Sequence, residues 1–387
     1  MNEEAIRKAM DGLSDILDYH TKNEEQAMSP AELDTCERVS SGENIIVYGV
    51  PGCGKSWTIE HEYLDSNTVA SRVVFHPDYS YSDFVGQLLP VKKSDGSISY
   101  DFVAGPFTIA LKAAYHDPKR KHVLIIEELN RGNAPAVFGD IFQLLDRAPK
   151  DFVAAGFKVL KGASLYSIFN PDIATYVYNE PNHRIRLLSN FSIIASMNTS
   201  DQNVFTLDTA FQRRWKMRLI ENTFDSVPVT LRDQKILDTS ITWKQFVVTI
   251  NGLIMKKNIR VPSNEDKRIG VYFLEPGDLI YDDNDKSSSA SIREEYSKLL
   301  LKESSGSIEE GEKGRLDSIR KAFRQNGIFP EKVLKYLWDD AFKFNREDVF
   351  DVAKVGCLED VIRFFLYEKG DKRFEVFKPD VLQLLIK

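Results

Sequence analysis

The chain has 387 residues, 42% of them hydrophobic and 28% charged, which predicts two or three domains of ordinary globular composition. Its formal net charge of −7 excludes a chain-wide electrostatic footprint for nucleic acid, so any contact with DNA falls to a local patch or a partner. Three scattered cysteines, Cys36, Cys53 and Cys357, lack CxxC spacing; they argue against a disulfide framework or zinc site and for a reducing, cytoplasmic compartment. The opening MNEEAIRKAM has no apolar h-region, so no signal peptide is expected, and no run approaches the roughly 18 apolar residues of a membrane span.

Ile6, Met10, Leu13 and Leu17 recur at helical spacing, so residues 1–40 are expected to form a short helical lead-in. From Glu43 to about Phe224, apolar strand-like runs alternate with helical stretches, the pattern of a mostly parallel sheet. NIIVYG, RVVFH, HVLIIEE and FSIIASMN are the strand candidates, β-branched and apolar enough to be buried on both faces. Between the second and third, Asp95-Gly96 marks a β-hairpin, and PFTIALKAA reads as a helix with Pro106 in its first turn. A hairpin thus interrupts a helical crossover. Beyond Phe224 the runs WKQFVVTINGLIM, RLDSIRKAFRQN, EKVLKYLWDDAF and CLEDVIRFFLY predict a mainly helical second domain. Within it, the polar, Gly/Ser-rich stretch near 282–314 is expected to be an exposed, mobile excursion around a short helical piece.

Gly49 to Ser56, GVPGCGKS, fits the phosphate-binding pattern G-x-x-x-x-G-K-[ST], with a strand before it and a helix after it. Gly49, Pro51, Gly52, Cys53 and Gly54 would form the phosphate-wrapping loop, its glycines letting backbone N–H groups approach, with Trp57 opening the helix behind them. Lys55 would contact the β- and γ-phosphates, and Ser56 would hold Mg²⁺ through its hydroxyl. HVLIIEE then delivers Glu127 and Glu128 at a strand end. Phosphoryl transfer needs one carboxylate near the metal and one to orient the attacking water, which assigns Glu127 to the first role and Glu128 to the second. Asn198, at the end of FSIIASMN, offers an amide to the γ-phosphate or the water; a plain turn cap by Asn198, Thr199 or Asp201 is the competing reading. Arg213 and Arg214, near the end of a predicted helix, are either surface ion-pair residues or, in a ring, the group that reaches a neighbour's γ-phosphate. Tyr79, Tyr81 and Phe84 favour packing between hairpin and core over a nucleic-acid stacking platform. Trp215 and Trp338 are expected as core anchors.

Four features together resemble the AAA+ superfamily and, within it, the McrB-like motors of modified-cytosine-dependent restriction systems. They are FHPDYSYSDFV, the hairpin ending YDFVAGPF, ELNRGN running into AVFGDIFQLLD, and MNTSD followed by QRRW. DKRIGVYF (Asp266 to Phe273) and VLKYLWDD resemble parts of that family's helical lid. The resemblance implies an α/β P-loop NTPase core over 41–225 and a mainly helical lid and C-terminal domain over 226–387. It further implies a hexameric ring that hydrolyses GTP or ATP with Mg²⁺, stimulated by a McrC-like subunit carrying the nuclease. Asn198 and Asp201 then belong to the signature loop near the γ-phosphate, Asn130 and Arg131 lie at or near the subunit boundary, and Arg213 or Arg214 is the trans-acting finger. Two departures stand out: Glu127 occupies the usual Asp position, and only about forty residues precede the motor. DNA recognition is therefore expected through a partner or the ring assembly, or is absent. A MoxR-like ATP-dependent remodelling chaperone is the alternative, and a nucleotide switch with little turnover is the third reading.

Overall fold

A computed structural model describes Leu33 and residues 36–92, 94, 96–154, 157–198, 204–257, 267–282 and 289–386. The expected helical lead-in therefore lies outside the described residues except at its end. The chain divides into two units, Met1–Gly49 with Lys55–Ile220, and Val50–Gly54 with Glu221–Lys387.

The first unit is built on five strands: β1 (Asn44–Gly49), β2 (Thr68–Val74), β5 (Lys121–Glu127), β8 (Phe191–Asn198) and β9 (Lys216–Leu219), in the order β2-β5-β8-β1-β9. Every pairing among them is parallel. Parallel strands buried on both faces need apolar side chains at successive positions, which is what the sequence supplies. Ile45, Val47, Val123, Ile125 and Ile194 face one side, with Ile59; Ile46, Leu124, Ile126, Ile193 and Ala195 face the other, against Phe107, Leu111, Phe138 and Phe191. Register places Gly49 opposite Asn198 and Val74 opposite Glu127, so the carboxyl ends of these strands present their polar residues along one edge. Such an edge is where ligands bind in open α/β sheets. The short β9 was not expected: all four of its residues, KMRL, are exposed, as suits an edge strand guarded by charge.

Helix α1 (Lys55–Thr58) follows β1 and continues as a π-helical stretch, Ile59–Tyr63. After β2 and the short α2 (Tyr81–Val85), the hairpin β3 (Gly86–Lys92) and β4 (Ile98–Ala104) precedes α3 (Pro106–His116), confirming the interrupted crossover; β6 (Phe152–Ala154) and β7 (Phe157–Val159) pair as a second, smaller hairpin before β8. Pro106 stands at the start of α3, where its missing N–H costs no helical bond. Phe75 stacks on Tyr79, and Tyr79 and Phe84 meet at their edges, so this aromatic group is packing, as expected.

The second unit has no strand among its described residues and is mainly helical: α4 (Trp243–Lys257), α5 (Ser289–Ser304), α6 (Glu310–Phe329), α7 (Leu358–Tyr367) and α8 (Pro379–Ile386). Trp243, Phe246, Phe329, Phe365, Phe374 and Phe377 fill its core. The polar stretch before residue 314 differs from expectation. Residues 289–304 form a 16-residue helix rather than a short piece, and Leu299 packs with Leu316 and Ile319 of α6. Charges that looked solvated in sequence pair between the helices: Arg315 with Glu295 and Arg320 with Glu303.

Candidate nucleotide site

The loop after β1 turns on two glycines in the left-handed region, Gly52 at φ 75° and Gly54 at φ 102°. A side chain at either position is strained, which accounts for glycine there. Cys53 is buried, and its N–H donates to Val50 O at 3.2 Å. Within the second unit the loop rests on residues 270–273: Tyr272 N–H donates to Gly52 O at 2.8 Å. Gly270 approaches so closely that a Cβ there would stand 2.3 Å from Pro51 O. This supporting segment is itself fixed. Asn222 and Asn251 each donate to Ile269 O at 2.9 Å, Ile269 N–H donates to Asn251 Oδ1, and Trp243 Nε1–H donates to Val271 O. In sequence, DKRIGVYF stood out only as a lid motif. Its contact with the phosphate loop went unread, although a glycine between two β-branched residues was the available signal. Asp266 lies outside the described residues.

In the first unit, Lys55 Nζ donates to Asn198 Oδ1 at 2.8 Å and to Gly49 O at 3.1 Å. The Asn198 amide points its nitrogen at the Glu128 carboxylate, 3.3 and 3.4 Å from its two oxygens. A neutral amide thereby spans an ammonium and a carboxylate, accepting from one and donating to the other. Arg131 Nε–H donates to Glu128 Oε2 at 2.9 Å. Asn130, buried, donates to Asn198 O at 2.9 Å and accepts from Phe205 N–H at 2.7 Å through its backbone carbonyl, which ties two strand ends together. Its side-chain oxygen has no hydrogen-bond partner among the described residues.

Glu128 sits at φ 55°, ψ 43°, a left-handed conformation that costs a non-glycine residue about 1–2 kcal/mol. This turn breaks the alternation of β5, so Glu128 leaves the sheet face that Ile126 would otherwise hand it and meets Asn198. Lys55, Glu128 and Asn198, three residues expected from sequence to act together, are thus brought together. Asp201 lies outside the described residues.

Glu127 behaves differently. Its carboxylate pairs with Arg72 of β2, and Arg72 also pairs with Glu60 at 3.1 Å. Ser56 is exposed, and its hydroxyl has no hydrogen bond among the described residues. A hydroxyl and a carboxylate form an oxygen-only donor set, which fits a hard cation such as Mg²⁺ that keeps several waters. Ser56 and Glu127 are the residues that would hold it.

The two arginines separate clearly. Arg214 is committed: it pairs with Asp146 at 2.9 Å, donates to Ala210 O at 2.8 Å, and lies 4.0 Å over the Phe142 ring. Arg213 is exposed, with no side-chain partner among the described residues. Trp57 is also exposed and stacks on His61 at 4.2 Å. Trp215 and Trp338 are core residues, each 6% exposed.

The sequence is also similar to known proteins. The AAA domain family (dynein-related subfamily) matches residues 44–215. A Bacillus subtilis (strain 168) protein, "Type II restriction enzyme BsuMI component YdiS", is 38% identical over 371 residues, spanning 87% of this chain and 88% of that protein. The Escherichia coli (strain K12) "Type IV methyl-directed restriction enzyme EcoKMcrB subunit" is 30% identical over 199 residues, 49% of this chain and 38% of that protein.

Proposed function

This chain belongs to the McrB-like AAA+ NTPases, and from that premise we propose that it is the nucleotide-driven motor of a restriction complex whose nuclease resides on a separate, McrC-like subunit. The observation that carries the reading is the line from Lys55 through Asn198 to Glu128, found in a chain similar along most of its length to a restriction component. Lys55 offsets charge on the β- and γ-phosphates. Glu128, held by Arg131, orients and deprotonates water, and Asn198 keeps base and lysine in register without adding negative charge. Mg²⁺ bound at Ser56 and Glu127 would supply Lewis-acid neutralisation of the phosphate oxygens.

Of the two arginines, Arg213 is assigned as the finger that reaches a neighbouring subunit's γ-phosphate, because Arg214 is already engaged with Asp146. The assembly is a ring of six, with GTP or ATP between subunits, and DNA is engaged through the ring or the nuclease subunit. No observation favours the chaperone reading. The test is light scattering of the purified chain with a non-hydrolysable analogue of GTP or ATP, alongside phosphate release from each nucleotide. A nucleotide-dependent hexamer that turns over GTP supports the proposal. A monomer in every nucleotide state would contradict it, and a hexamer turning over ATP alone would favour the chaperone.

A further inference from the structure

The Glu60–Arg72–Glu127 cluster explains what the longer acid at position 127 is for. Arg72 is opposite Ile125 in the β2–β5 ladder. Because strand side chains alternate, Glu127 shares the face of Ile125 and Arg72. Ile125 packs with Ile59, so this is the sheet face covered by the helix that carries Ser56. Glu60 follows Ser56 by four residues, about one turn, and so returns to the same side of that helix. The guanidinium thus binds two carboxylates, one from the strand end and one from the helix behind the phosphate loop. An aspartate at 127 would be one methylene shorter and further from Arg72.

We propose that Arg72 is a positioning residue that holds Glu127 as a resident counter-cation and competes with the divalent cation for it, so that Arg72 sets the Mg²⁺ concentration at which nucleotide is captured. The inference rests on the nucleotide reading above. A guanidinium on the carboxylate lowers its attraction for a second cation in two ways: it occupies Oε1, and it repels the incoming charge. Glu60 holds the other side of the guanidinium, which keeps Arg72 near the strand end. Lysine at 72 would preserve the charge while losing the two-sided fork; glutamine would remove the competitor.

The experiment is equilibrium binding of a fluorescent GTP or ATP analogue to the full chain across a Mg²⁺ titration, with Arg72→Gln, Arg72→Lys and Glu127→Asp beside the parent. Binding is the readout, so turnover is not required. The Mg²⁺ midpoint is expected to fall about three- to fivefold in R72Q, the upper range of a partly exposed ion pair, and to stay within about twofold in R72K. E127D, which draws the acid away from Arg72, should lower it as well, and adding R72Q to E127D should change it little further. A midpoint in R72Q that is unchanged or raised, with the parent binding nucleotide normally, overturns this inference alone. Should R72Q fail to fold, E127D decides: a fall supports competition, and no fall contradicts it. Failure of the parent to bind either nucleotide at any Mg²⁺ concentration would instead overturn the nucleotide reading, and this inference with it.

Discussion

Replacing Gly270 by alanine tests the close seating of the phosphate loop. The added Cβ would lie 2.3 Å from both Pro51 O and Gly52 C, backbone atoms that cannot swing aside. Ordinary contact requires the two segments to part by about 1 Å, an overpacking that costs about 1–3 kcal/mol. The Tyr272 N–H to Gly52 O hydrogen bond would lengthen with it, at about 1 kcal/mol more. Asn222 and Asn251 pin the neighbouring Ile269, so the loop is the side expected to yield. A loop distorted at a cost of about 2 kcal/mol weakens nucleotide binding about 30-fold. Isothermal titration of nucleotide and denaturant unfolding would be run together, because any strain the loop does not absorb appears as lost stability. Gly277→Ala, where a Cβ meets nothing within 4 Å, is the control and should be silent in both. If G270A left affinity and stability both within about 0.5 kcal/mol of the parent, the argument from close approach would be wrong.

Asn198→Ala should leave nucleotide affinity within a few-fold of the parent but lower turnover about 10²-fold, since Lys55 and Glu128 lose the amide between them; single-turnover kinetics checks it. Arg213→Ala should fold normally and lose about 10³-fold or more in turnover of the assembled protein, restored in part when mixed with Glu128→Gln subunits. Arg214→Ala should instead lower the unfolding midpoint, because it strips an ion pair, a carbonyl contact and a ring contact from one helix end. In the second unit, fully buried Arg373 pairs with Asp238 at 2.6 Å. Arg373→Ala should cost about 3–5 kcal/mol in urea unfolding, and Arg373→Met with Asp238→Asn appreciably less, because no buried charge is then left alone.

The strands that carry the site were legible because burial on both faces leaves continuous apolar runs, and these runs end at residues of the candidate site: Gly49, Glu127 or Asn198. The phosphate loop was legible because its spacing is dictated by the turn it must make. Less was visible where a tertiary contact decides the outcome. The engagement of Glu127 by Arg72 joins residues 55 positions apart, and nothing local in RVVFH announces it. The split between Arg213 and Arg214 depends on Asp146, 68 positions from Arg214. Helix α5 was underestimated because the apolar residues that pack it, among them Tyr296, Leu299 and Leu300, are interleaved with charges whose partners lie on α6. The left-handed turn at Glu128 had no signal at all, since glutamate does not favour that conformation.

The central claim is that Glu128, delivered by that turn beside Asn198 and Lys55, activates water at a bound nucleotide. Steady-state phosphate release from GTP and from ATP, by the parent chain and by Glu128→Gln at saturating nucleotide and Mg²⁺, tests it most directly. The account predicts turnover by the parent, a fall of about 10²-fold or more in E128Q, and undiminished nucleotide binding by that variant. An E128Q protein that binds nucleotide and turns it over at the parent's rate would contradict it.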